Sequence, residues 1–213
     1  MPKLLLASTN PGKIKEYRLL LGDLGYQITT LAEQGISKTA TEPGNSYEQN
    51  AQWKAATYAK SSQLITLADD SGLEVDALDG EPGIHSARFA GKDATDSDRV
   101  RALLARLNGI PREKRTAHFK CVIAIVTPKG QLELCYGECH GIIAFEAKGE
   151  NGFGYDPIFY LPEIGKTLAE IPLGLKNQIS HRAQAAQKAR QVLQQVHTYV
   201  KPSHKDSRSL GDC

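Results

Sequence analysis

Apolar and polar positions along the chain change period several times, and each change marks an element. Lys3–Ala7 is a continuous apolar run, the pattern of a buried strand. Ser8-Thr9-Asn10-Pro11-Gly12-Lys13 follows as a turn, and Ile14, Tyr17, Leu20 and Leu21 then recur at helical spacing over Ile14–Leu21. Tyr26–Thr30 reads as a second strand, and Thr41-Glu42-Pro43-Gly44-Asn45 as a loop. Ser46 opens a helix to Lys60, with Gln49 three residues on in a capping-box pattern. Within it Tyr47, Ala51, Ala55 and Ala59 make a small-residue packing stripe, beside a polar line of Asn50 and Lys54. Ile65–Ala68 reads as a buried strand running into Asp69-Asp70-Ser71-Gly72, a tight turn at the rim of a sheet. The Gly/Pro-rich Asp79–Gly91 is a connection between two lobes. Ser97–Leu107 is an amphipathic helix with Val100, Leu103, Leu104 and Leu107 on one face. Ala117–Thr127 and Gln131–Cys139 flank Pro128-Lys129-Gly130 as a β-hairpin, with Gly141–Ala147 as a third strand of that antiparallel region. Leu161–Leu175 reads as a loop, and Ser180 as the N-cap of a last helix running to about Val200. The polar Pro202–Cys213 has no periodicity and is expected to be a disordered tail.

Bulk composition narrows the classes without choosing among them. A chain of 213 residues makes one large domain or two small lobes around a core. A net charge of +2 provides no global field for DNA, RNA or a membrane surface. The N-terminal apolar run Leu4–Ala7 is too short for a signal peptide or a membrane span. None of Cys121, Cys135, Cys139 and Cys213 forms a C-x-x-C pair. Cys135 and Cys139 share a strand face with His140 nearby, but reduced, packed thiols in a reducing cytoplasm are the simpler reading.

Four stretches offer chemistry, and each has a plain structural alternative. Asp69-Asp70 at a sheet rim supplies oxygen ligands suited to Mg²⁺, or is a solvated acidic turn. Ser8–Lys13 lies between a strand and a helix N-terminus, where an anion is favoured, or is an ordinary connection. Phe153-Gly154-Tyr155-Asp156-Pro157-Ile158-Phe159 can stack a planar base and offer a carboxylate to its N–H groups, or can be core. His181 and Arg182 sit in a helix's first turn, where positive charge is disfavoured, so a ligand or a distant acid must meet them.

Several short stretches, taken in order, resemble one family. They are Ser8-Thr9-Asn10-Pro11-Gly12-Lys13, Asn50-Ala51 with Lys54-Ala55, Ala68-Asp69-Asp70-Ser71-Gly72-Leu73, Pro82-Gly83 with Ser86-Ala87-Arg88-Phe89, Phe153-Gly154-Tyr155-Asp156-Pro157, Lys176, and Ser180-His181-Arg182. The chain resembles the inosine triphosphate pyrophosphatase family, bacterial type, over nearly its whole length. The resemblance implies an α/β fold, with a mixed elongated β-sheet, flanking helices and two lobes around a central nucleotide cleft. Residues 1–201 would form that single domain, with 202–213 as its tail. It implies a homodimer that hydrolyses XTP, ITP and dITP to monophosphate and pyrophosphate with Mg²⁺. By position, Ser8, Thr9, Asn10, Pro11, Gly12 and Lys13 cradle phosphates, Asp70 is base and metal ligand, Glu42 is a second metal ligand, and Ser71 contacts substrate. Phe153, Gly154, Tyr155, Asp156, Lys176, His181 and Arg182 match nucleotide-binding positions.

The chemistry is consistent with those residue types. Lys13 and Lys54 would offset triphosphate charge, and Asp70 would deprotonate the water attacking the α-phosphorus. Successive strand residues face opposite sides, so Asp69 and Asp70 are expected to differ in role, Asp69 being secondary. The Asp70 carboxylate is expected to face Lys13, Lys176 and Arg182. Lys176 and Arg182 would donate to a purine 6-oxo group and leave adenine's 6-amino group unmatched. Two alternatives are a nucleotide-binding regulator without turnover and the related septum-formation inhibitor family. The latter carries Ser-Pro-Arg-Arg where this chain has Asn10-Pro11-Gly12-Lys13.

Overall fold

In a computed structural model, the chain is described over residues 1–37 and 44–200, with side chains as far as Val196. Among the described residues, five α-helices flank one seven-stranded sheet. The strands are β1 (Lys3–Leu6), β2 (Gln27–Thr30), β3 (Ile65–Val75), β4 (Thr116–Val126), β5 (Leu132–Ile143), β6 (Phe159–Leu161) and β7 (Lys166–Thr167). The helices are α1 (Pro11–Leu21), α2 (Tyr47–Ser62), α3 (Asp96–Arg106), α4 (Leu173–Ile179) and α5 (His181–Val200). The order in the sheet is β2-β1-β3-β4-β5-β6-β7. The first three strands are parallel and the rest antiparallel, so the sheet is mixed, as the resemblance implied. No helix among the described residues is long and apolar enough to cross a membrane.

Two layers cover the sheet. Even-numbered residues of β3 and β4, with the α2 stripe Tyr47, Ala51, Ala55 and Ala59, build the core of one face. Odd-numbered residues meet α1 and α5 near β1, and α3 farther along. The α5 backbone lies directly on β5 at Gly137, where an added Cβ would stand 2.0 Å from the His181 carbonyl oxygen. Only glycine permits that approach, which fixes where the first turn of α5 enters the molecule.

Chain order from β1 to β2 passes through α1 on one face, and from β2 to β3 through α2 on the other. The connection therefore reverses between β1 and β3, the kind of point where open α/β sheets bind ligands. β1 stops at Leu6, with Ala7 N–H donating to Leu67 O at 2.8 Å. β3 runs eight residues further, and its edge is next engaged at Leu73, whose N–H donates to Ser86 Oγ at 2.8 Å. Asp69 to Gly72 thus line a gap in the sheet edge.

Several expected boundaries are corrected. Asp69-Asp70-Ser71-Gly72 is not a turn: β3 continues through it in register with Ile123, Val122, Cys121 and Lys120 of β4. Gly72 serves a close approach instead, since a Cβ there would lie 2.2 Å from Gly83 O. Pro11, Gly12 and Lys13 are the first turn of α1 rather than a connection, with Pro11 at its start and Asn10 as N-cap. Gly141–Ile143 extends β5, and the next strand is β6. The supposed loop Leu161–Leu175 holds β7 and the start of α4. Ser180 is the N-cap of α5 as expected, its Oγ accepting from Ala183 N–H at 3.2 Å. Cys121, Cys135 and Cys139 are free and buried. Cys135 and Cys139 face the core, while His140 projects from the other face. Residues 202–213, the expected tail, lie outside the described residues.

Candidate active site

The gap in the sheet edge opens into a cavity of about 440 Å³. Ser8, Thr9, Asn10, Lys13, Lys54, Asp69, Asp70 and Ser71 line one part of it, and Phe153, Gly154, Tyr155, Asp156, His181 and Arg182 another. Pieces far apart in sequence thus converge as expected. Pro11, Gly12 and Lys176 are not in that lining: Pro11 is exposed, Gly12 lies against the Phe153 ring and Lys176 is buried. Glu42 lies outside the described residues.

The pleat of β3 separates the two acids. Asp69 points to the α5 face and is buried. Its Oδ2 lies 2.9 Å from Lys13 Nζ and 3.7 Å from Arg182 Nε. Burial alone would raise its pKa, but Lys13, Arg182 and Lys54 outweigh that and hold it at about 2. Asp70 points to the α2 face. Its Oδ2 accepts from Asn50 Nδ2 at 3.0 Å and its Oδ1 lies 3.5 Å from Lys54 Nζ. Lys54 also donates to the Asp69 carbonyl oxygen at 2.7 Å. The expectation that Asp70 would face Lys13, Lys176 and Arg182 is therefore corrected: Asp69 meets Lys13 and Arg182. The strand's alternation is the reason. Both carboxylates border the same cavity because β1 ends before reaching them.

Among the first donors of α1, Pro11 has no N–H, and the Lys13 N–H is taken by Asn10 Oδ1 at 3.0 Å. Ser8, Thr9, Asn10 and Lys13 all border the cavity.

At the other end, buried charges hold one another. Arg182 donates to Glu16 Oε2 at 2.7 Å and to Ser71 Oγ at 3.1 Å. Lys176 Nζ lies 2.8 Å from Glu16 Oε1 and is bonded to Asp156. Burial opposes charge on Glu16, yet Arg182 and Lys176 pull its pKa below the usual carboxylate range. Burial dominates at Asp156 and raises its pKa despite Lys176. The distant acid that Arg182 needed is thus Glu16. His181 stacks on Phe119 at 4.6 Å between ring centroids. Burial, with Arg182, Lys176 and Lys13 adding to it, drives its pKa well down, so the imidazole is neutral. Lys176 and Arg182 both approach the Phe153 ring, at 5.0 and 5.2 Å from its centroid.

Sequence reasoning missed Glu16, Asp96 and Arg99. Glu16 follows Lys13 by three residues on α1, and a single helical Glu ordinarily reads as solvated. Asp96 accepts from Gly154 N–H at 2.7 Å and pairs with Arg99. Their spacing of three was the available signal, but it reads as a local helix pair. The cavity's described lining holds five cationic side chains, Lys13, Lys54, Arg88, Arg99 and Arg182, against four carboxylates. A polyanion fits that lining better than a neutral ligand does.

A model of the Ham1 family matches residues 4–192. The chain belongs to the Ham1 family. Its relatives include a dITP/XTP pyrophosphatase of Desulforamulus reducens, 47% identical over 92% of this chain and 98% of the relative. The dITP/XTP pyrophosphatase of Bacillus subtilis is 42% identical over 91% of this chain and 98% of the relative. Among solved structures, a HAM1 protein from Coxiella burnetii matches with a TM-score of 0.83 and 41% identity, covering 92% of this chain and all of that one. The Staphylococcus aureus Ham1 protein matches with a TM-score of 0.81 and 39% identity, covering 91% and 99%. The family resemblance read from the ordered motifs is borne out, and the Ham1 fold extends across β1 to α5.

Proposed function

We propose that this chain is a nucleoside-triphosphate pyrophosphatase acting on dITP, XTP and ITP, releasing the monophosphate and pyrophosphate. The observation that carries the reading is one cavity holding a carboxylate pair, a cation-rich wall and an aromatic-lined end, in a chain so similar to enzymes named for that activity. Lys13, Lys54 and the neighbouring arginines bind the triphosphate and offset its charge. The purine lies toward Phe153, Tyr155 and His181, with Arg182 donating to the 6-oxo group and Lys176 and Glu16 holding Arg182 in place. Neutral His181 adds a hydrogen-bonding ring without further charge. Ser71, already bonded to Arg182, contacts substrate beside it.

Asp70 takes the proton of a water that attacks the α-phosphorus, and pyrophosphate leaves. Asn50 and Lys54 aim that carboxylate. The oxygen donors of Asp70 suit Mg²⁺, with Glu42 as a second ligand. Bound there, the ion would withdraw charge from the phosphates and acidify the water. Asp69 stays ionised and positions Lys13 and Arg182. The reading includes one domain of two lobes over residues 1–201, a cytoplasmic homodimer, a nucleotide as the partner molecule, and no nucleic acid or membrane.

Incubation with dITP, XTP, ITP and the common triphosphates at fixed Mg²⁺, following pyrophosphate, tests it. Release from the 6-oxo purines well above that from ATP is expected. Orthophosphate alone, or tight binding without product, would sink it.

A further inference from the structure

A second cluster of ligating side chains lies outside the cavity. On the α2 face, Leu132 and Leu134 of β5 pack against the helix layer, whereas Tyr136 and His140 are exposed. Strand register places Glu74, His118 and His140 in one row across β3, β4 and β5, with Lys120 and Glu138 in the next row. Residues two apart share a face, so all five side chains project to the same side.

Their atoms already approach a coordination polyhedron. Glu138 Oε1 lies 3.6 Å from His140 Nε2 and 3.9 Å from His118 Nε2. Among the described residues, His118, Glu138 and His140 each bring one ligand atom within 4.8 Å of the others. Tetrahedral Zn²⁺ with ligands at about 2.0–2.1 Å separates its donor atoms by about 3.4 Å, so small side-chain rotations suffice. Glu74 Oε2 is 2.9 Å from His118 Nε2, available as a fourth donor. Behind the ring, His118 Nδ1 faces Asp76 Oδ1 at 3.8 Å, and Asp76 Oδ2 accepts from Thr116 Oγ1 at 2.6 Å. Nε2 donates to Glu74 in the metal-free chain, so metal binding requires the ring proton at Nδ1, where Asp76 is the nearby carboxylate that can close in to accept it.

We propose that His118, Glu138 and His140, with Glu74, hold a divalent transition-metal ion of the zinc class. Two imidazoles select zinc, nickel or copper over Mg²⁺, so this is not the ion expected beside Asp70. Glu74, Asp76 and Glu138 outnumber Lys120, and the patch favours a dication. Lys120 now donates to Glu74 at 2.8 Å and must yield that oxygen when the ion binds. A Glu74 shared by His118 and Lys120 needs no ion. That pair leaves unexplained why Glu138 closes on both the same His118 nitrogen and His140 while Asp76 stands on the other side of the ring. The ion would tie β3, β4 and β5 together on one face. Glu74 is four residues from Asp70, roughly 13 Å along the strand. Tyr47 stands between them, its hydroxyl 2.7 Å from where a Gly72 Cβ would lie. The inference does not rest on the nucleotide reading.

The test is calorimetric titration of metal-free protein with Zn²⁺ alone, repeated with Mg²⁺ in excess. One-to-one binding is expected, unaffected by Mg²⁺ and retained in Asp70→Asn. His140→Ala and His118→Gln should each weaken it more than tenfold, and Asp76→Asn by about tenfold. Zn²⁺ should raise the parent's thermal midpoint and leave that of the double variant His118→Gln/His140→Ala unmoved. His140 is largely exposed, so its replacement should keep the fold, checked by circular dichroism. Pyrophosphate release by His140→Ala should equal the parent's. The proposal is overturned if the parent binds no Zn²⁺, if the double variant binds it equally well, or if Asp70→Asn abolishes binding.

Discussion

Asp69 and Asp70 are identical, adjacent and in one strand, yet their surroundings share little. Asp69 sits among Lys13 and Arg182 on the α5 face, in a buried charge network continued by Glu16, Lys176 and Asp156. Asp70 sits between Asn50 and Lys54 of α2, at the cavity wall. The Asp69 side chain is 1% exposed and that of Asp70 11%. One residue of pleat thus separates an acid suited to holding cations in place from an acid suited to moving a proton. Catalytic and structural charge can share a dipeptide because a strand sends its side chains in opposite directions.

Substitutions that treat the two acids alike are the sharpest way to break this contrast. Asp70→Asn should lower turnover of dITP by about 10³-fold, equivalent to roughly 4 kcal/mol of barrier, with nucleotide affinity nearly retained. Single-turnover pyrophosphate release beside equilibrium binding measures both. Asp69→Asn should instead destabilise the fold by about 3 kcal/mol, because Lys13 and Arg182 lose a buried counter-charge. Urea unfolding reads that loss, and an Asp69→Asn protein as stable as the parent would erase the distinction.

Titration separates the faces more gently. Asp69 has a pKa depressed from 3.8 to about 2 in the folded chain. Its contribution, on the order of 2 kcal/mol, is therefore fully present above pH 3.8 and lost as pH falls toward 2. His181 is held neutral, with its pKa well below 6.5. The unfolded chain binds that proton first, so stability should fall by about 1.4 kcal/mol per pH unit once pH drops clearly below 6.5. Unfolding of parent and His181→Phe between pH 5 and 7 checks the sign, and a slope unchanged in the variant would contradict it. The smallest effect belongs to Asn50→Ala. It removes one donor from Asp70 and should cost about 1 kcal/mol of stability. Activity should fall far less than in Asp70→Asn, since the base itself remains.

Much of the frame was legible before any coordinates. The four-residue stripe of α2, the Ser46 and Ser180 caps, and the hairpin of β4 and β5 follow from local periodicity and turn chemistry. The ordered motifs also named many of the residues that border the cavity, though not Asp96 or Arg99, and Glu42 is outside the described residues. Local signals failed where tertiary context reverses them. Asp-Asp-Ser-Gly is a turn sequence by composition, yet β4 pairs with it along its length and holds it extended. Glu16 looked like a solvated helix residue because the cations that bury it lie about 160 residues away in the chain.

The sequence alone determined most of the elements, their amphipathic faces, the inventory of acids, cations and aromatic rings, and the family, because these are local or cumulative along the chain. Only the tertiary structure decided which acid meets which cation. That choice depends on the parity of β3 against the two layers and on β1 ending at Leu6, and both are relations between elements that no window of sequence contains.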